Sequence, residues 1–143
     1  MASMHVIFWS QTGNTEAMAG AIAEGAKEAG AVVELISVSG TDPDAALDCD
    51  LLALGCPAMG DEVLEESEFD PFFTDLEGRL AGKKVALFGS YGWGDGQWMR
   101  DWQDRVQKAG AVLFQCEGLI LNEAPDDEGL AKCKAFGAAF ANS

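Results

Sequence analysis

Apolar and polar positions alternate between two periods along this chain. His5, Val6, Ile7, Phe8 and Trp9 form a short β-branched and aromatic run, the mark of a buried strand. Residues 16–30 then take a helical period. Met18, Ile22, Ala26 and Ala29 share one face, Glu16, Gly20, Glu24, Lys27 and Glu28 the other, and Gly30 is a stop signal. A second strand is predicted over 31–38, a short helix over 43–47 and a third, fully apolar strand over 51–55. Residues 61–70 carry six acids in ten positions and read as a solvated loop, followed by a helix over 71–80 and a fourth strand over 85–89. Trp98, Met99, Trp102, Val106 and Ala109 keep helical spacing. A fifth strand spans 111–116 and 119–121, with a break at Gly118. Leu130, Cys133, Phe136 and Phe140 line one side of a last helix, whose positive end carries Asp126, Asp127 and Glu128.

The order is β-α repeated five times. Continuous apolar strands alternating with amphipathic helices predict an α/β fold, a parallel sheet covered on both faces. Ligands of such folds bind beyond the carboxyl ends of the strands, at the topological switch point. The chemistry is therefore expected in the loops that follow the strands.

At 143 residues the chain fits a single domain, 1–143, with Met4 as a second candidate start. Nine basic and 24 acidic residues give a net charge of −15, which argues against nucleic acid and anionic membranes as partners. No run of about 20 predominantly apolar residues could span a bilayer, and the first five residues lack the basic region of a secretory signal. The four cysteines contain no C-x-x-C pair and His5 is the sole histidine, so no zinc site is expected. Mostly buried free thiols in a reducing cytoplasm are the simplest reading.

Three loops stand out. After the first strand, Ser10, Gln11, Thr12, Gly13, Asn14 and Thr15 place three hydroxyls, two amides and a glycine at a helix start. Such a start binds phosphate through its amides and dipole, although capping by Thr12 or Thr15 would use the same residue types. No lysine or arginine precedes Lys27, so the loop is not a Walker site; it suits one terminal phosphate held by neutral donors. After the third strand, Gly60-Asp61 marks a turn. After the fourth, Tyr91 and Trp93 lie among Gly92, Gly94 and Gly96, and a large ring in a glycine-rich loop usually covers something flat. Trp98, on the apolar face of the next helix, is expected in the core.

At these three loops the sequence resembles a short-chain flavodoxin, over essentially the whole chain from Met4 onward. The segments that carry the likeness are 10–15, 58–62 and 89–96. The resemblance implies a five-stranded sheet of order 2-1-3-4-5 and non-covalently bound flavin mononucleotide (FMN). It places Ser10, Thr12, Asn14 and Thr15, with amides near Gly13 and Gln11, on the phosphate. It sets Met59 and Trp93 on opposite faces of the isoalloxazine and Glu62 at N3. Pro57, Ala58, Asp61, Ser90, Tyr91, Gly92, Gly94, Asp95 and Asn122 complete the expected contacts. The Gly60–Asp61 peptide is expected to flip on reduction and offer its carbonyl to N5. Proline at position 57 removes a phosphate contact that a serine makes in some relatives.

The implied function is a low-potential one-electron carrier, cytoplasmic and monomeric. Its acids would steer the basic faces of donor and acceptor oxidoreductases. A small NAD(P)H or quinone reductase of the same fold is the alternative. A response-regulator receiver would need an aspartate after the third strand and a lysine after the fifth, where Cys56-Pro57 and Asn122-Glu123 stand. An FMN module within a larger reductase complex is compatible with the length.

Overall fold

The computed structural model describes residues 2–10, 13–59, 64–92, 94 and 96–143. The elements in order are β1 (Ser3–Phe8), α1 (Asn14–Glu28), β2 (Val32–Ser37), α2 (Pro43–Ala46), β3 (Leu51–Gly55) and α3 (Phe69–Glu77). They continue with β4 (Lys84–Tyr91), α4 (Gln97–Lys108), β5 (Val112–Leu113), β6 (Leu119–Asn122) and α5 (Asp127–Ala141). The strands pair in parallel in the order β2-β1-β3-β4-β5, and β6 also pairs with β4.

The expected fifth strand is two strands. Phe114–Cys116 winds into a 3-10 turn, with Gln115 at φ 61° and Cys116 at φ 57°, so the extended backbone cannot continue there. Both pieces still find β4: β5 pairs with Lys84 and Val85, and β6 with Phe88 to Tyr91. The eight residues of β4 thus organise this half of the sheet.

Successive strand side chains alternate between two cores. Val6, Ala53, Ala86 and Phe88 join Met18 and Ile22 of α1 and Phe136 and Phe140 of α5. Ile7, Leu54, Val85 and Leu87 face the other way, onto Phe69 and Phe73 of α3 and Trp98 and Trp102 of α4. The two helices on the first face touch backbone to backbone. A Cβ on Gly25 would lie 2.0 Å from the Lys134 carbonyl oxygen, and one on Gly137 2.0 Å from that of Ile22. No larger residue fits at either crossing.

The acidic stretch is less solvated than its composition implies. Leu64 and Glu65 are buried, and α3 has already begun at Phe69. Asp70 pairs with Arg105 at 3.0 Å, and the Arg105 guanidinium also reaches Glu77 and covers the Phe73 ring. Carboxylates here are spent on capping and on a cation as well as on solvent. Cys49, Cys56, Cys116 and Cys133 are free thiols; Cys56 and Cys133 are buried, Cys49 is half-buried and Cys116 is exposed. Burial pushes the Cys133 thiol up to about 11 and the Cys56 thiol still further.

Candidate cofactor site

Backbone hydrogen bonds carry the sheet beyond its last paired residues and shape a cleft there. The Trp9 amide donates to the Gly55 carbonyl at 3.0 Å and the Cys56 amide to Phe88 at 3.2 Å. Farther out, the Ala58 amide donates to Ser90 at 3.0 Å and the Glu123 amide to Tyr91 at 2.7 Å. Consecutive carbonyls of β4 therefore hold the loop after β3 on one side and the turn after β6 on the other. Between them lies a cavity of about 220 Å³, lined by Trp9, Asn14, Pro57, Ala58, Met59, Ser90, Tyr91, Gly92 and Glu123.

The start of α1 lies beside this cavity through Asn14. Gly13 occupies the N-cap position at φ 91°, a conformation that side chains with a Cβ disfavour, and no side chain caps the helix among the described residues. By contrast, Asp42 caps α2 and Asp126 caps α5 with their own carboxylates. The Gly13 amide donates to Ser10 Oγ at 3.1 Å. Thr15 is not the cap. Its hydroxyl is buried and meets Ser90 Oγ at 2.9 Å, and the Ser90 amide reaches it at 3.4 Å.

Beneath the cavity, Trp98 is 1 % exposed and donates from Nε1 to the Cys56 carbonyl at 3.1 Å. It belongs to the core, as expected, and Tyr91 packs on it with ring centroids 5.6 Å apart. Asn122 does not line this cavity. It lines a neighbouring one with Pro125, Asp126 and Lys132, and its Nδ2 donates to the Tyr91 carbonyl at 3.3 Å. Gly94 is exposed at φ 86°. Gln11, Thr12, Gly60, Asp61, Glu62, Trp93 and Asp95, all expected at the site, lie outside the described residues.

Known proteins match this chain along its length. The flavodoxin family's sequence model matches residues 6–137. A flavodoxin from Clostridium beijerinckii is 51 % identical over 139 residues, covering 97 % of this chain and 99 % of the relative. One from Megasphaera elsdenii is 48 % identical over 140 residues, covering 98 % and 99 %. The chain belongs to the flavodoxin family. The solution structure of the two-electron-reduced Megasphaera elsdenii flavodoxin superposes with a TM-score of 0.89 at 48 % identity, covering 98 % of this chain and 99 % of that one. The chain is accordingly an FMN-binding electron carrier.

The described residues fit a flavodoxin's cofactor. A flat amphipathic ring needs aromatic and thioether walls, which Trp9, Tyr91 and Met59 supply. A terminal phosphate needs amides that no side chain has claimed, and the start of α1, capped by no described side chain, supplies them. Two lining residues, Trp9 and Glu123, escaped the sequence reading. The apolar run predicts Trp9 as the last residue of a strand, whereas β1 ends at Phe8. The place of Trp9 immediately before the phosphate loop was the available signal, since ligands of such folds bind in the crevice outside the strands' carboxyl ends. Glu123 adopts φ 59° and owes its position to the hydrogen bond with Tyr91, which nothing in the local sequence signals.

Proposed function

We propose that the cleft between Met59, Tyr91 and Trp9 receives the isoalloxazine and that the uncapped start of α1 receives the phosphate. The observation that carries this reading is the adjacency of the apolar-walled cavity to a helix start whose own cap residue is a left-handed glycine. FMN, when bound, supplies the one-electron chemistry. The chain binds it, orients it and excludes water from one side of it. Ser10 orders the Gly13 amide, and Asn14 connects the phosphate end to the ring cavity. Met59 and Trp93 are assigned to the two ring faces, Glu62 to N3 and the Gly60–Asp61 peptide to N5.

No general acid, base or nucleophile with its partner is found among the described lining residues, and the chain is assigned to electron transfer without substrate turnover. Donor and acceptor oxidoreductases with basic faces fit the net charge of −15, which also favours a monomer in a cytoplasm. No described helix is long and apolar enough to cross a membrane. The test is FMN reconstitution followed by two assays. Stoichiometric FMN uptake with two separate one-electron potentials and negligible NAD(P)H oxidation is expected. Rapid catalytic NAD(P)H oxidation by the isolated protein would instead establish the reductase. Electron transfer to a basic partner should slow as salt rises, because exposed charges are screened beyond about 8 Å at ~0.15 M ionic strength.

A further inference from the structure

Glu65 is a carboxylate only 5 % exposed, and no cation pairs with it among the described residues. It accepts instead from the amides of Ser67 at 2.8 Å, Glu68 at 2.7 Å and Phe69 at 2.9 Å, and from Ser67 Oγ. The Ser67 and Glu68 amides lie in the turn that leads into α3 and the Phe69 amide opens it, so the carboxylate sits at the positive end of that helix, three residues before its N-cap position. Glu68 holds the N-cap position but does not cap. Its carboxylate accepts from Trp9 Nε1 at 3.2 Å, and Trp9 lines the cavity. In the other direction, the Glu65 amide donates to Cys56 Sγ at 3.4 Å, at the foot of the Pro57–Ala58–Met59 wall.

We propose that Glu65 is a positioning residue of the cofactor site, tying the Trp9 wall to the wall that begins at Cys56. By holding the Ser67, Glu68 and Phe69 amides it fixes the turn from which the Glu68 carboxylate reaches the indole. The N2 amide, of Asp70, already donates to the Glu65 carbonyl at 2.8 Å and N3 is Pro71, so the Glu68 side chain has no helix amide to cap and is left to the indole. The inference rests on the assignment of this cavity to FMN.

The experiment compares Glu65→Gln, Glu68→Ala and the double variant as FMN-loaded proteins. FMN dissociation on dilution, the first one-electron potential and thermal unfolding are read together. Each single variant should release FMN about tenfold more readily, the scale of one lost hydrogen bond to a charged group. The double variant should be no worse than the weaker single, because both break the same chain. Trp9→Phe should match Glu68→Ala, and Glu68→Gln, which keeps an acceptor oxygen, should stay near the parent. Lower thermal stability with unchanged FMN release and potential would make Glu65 a helix cap and nothing more, overturning the proposal. Additive losses in the double variant would overturn it too. Should Glu65→Gln not fold, Ser67→Ala removes one donor to the same carboxylate, and unchanged FMN release in that variant counts against the proposal. A parent protein that takes up no FMN would bring down the cofactor assignment itself, an outcome distinct from all of these.

Discussion

Thr15 at the start of α1 and Ser90 near the end of β4, 75 positions apart, share a buried hydrogen bond of 2.9 Å between their hydroxyls. The bond fastens the phosphate-side helix to the strand that carries both edges of the cleft. It also uses one of the two hydroxyls, Thr12 and Thr15, that a local reading of the loop would assign to capping.

Thr15→Val should therefore destabilise the protein by about 1–3 kcal/mol, the range for leaving a buried polar partner unpaired. Ser90→Ala should cost a similar amount, and the double variant clearly less than the sum of the two. Denaturant midpoints of the three variants check this. Simple additivity would mean that the two hydroxyls do not depend on each other.

FMN should bind more tightly than riboflavin by orders of magnitude. No described side chain caps the start of α1, and each charge-assisted hydrogen bond to phosphate contributes ~1.5–3 kcal/mol. Fluorescence titration with the two ligands decides; equal dissociation constants would move the phosphate away from α1.

Trp93, assigned to the ring face, should quench bound flavin, because a stacked indole donates an electron to the excited ring. Trp93→Ala should restore flavin emission while FMN remains bound through the phosphate loop. A variant holoprotein as dark as the parent would assign the quenching elsewhere, with Trp9 the next residue to replace.

Much of the architecture could be read from periodicity, because each strand is a short apolar run and each long helix has one apolar face. The strand order followed from the resemblance. What local pattern could not reveal were long-range hydrogen bonds. Glu65 looks like one more solvated acid, since nothing nearby announces that three amides and a hydroxyl will enclose it. Trp9 looks like strand core because its indole reaches a partner 59 positions away. The broken fifth strand was anticipated, but the turn at Phe114–Cys116 depends on left-handed Gln115 and Cys116, residues with no strong preference for that conformation.

Burial disfavours the charged form of Glu65, but hydrogen bonds from Ser67, Phe69 and Glu68 outweigh it and hold the carboxyl below its usual range. A carboxyl with a lowered pKa in the folded state stabilises the protein above its unfolded value and ceases to do so as pH falls through its folded value. The stability gap between the parent and Glu65→Gln should thus be widest near neutrality and close in acid. Protonation of the exposed acids relieves charge repulsion in both proteins alike and drops out of the difference. Thermal unfolding followed across the acid range checks this, and a gap independent of pH would show that the charge on Glu65 is immaterial.

The bonds from Ala58 to Ser90 and from Glu123 to Tyr91 have a consequence for how the site can diversify. Both rims hang from adjacent peptide units of one strand, so the opening spans about two interstrand spacings, roughly 10 Å. That gauge is set by main-chain geometry, which no side-chain replacement in the loops rewrites. Descendants of this sequence can exchange the residues facing the ring, and with them its affinity and driving force, while the slot keeps admitting an object of the same breadth.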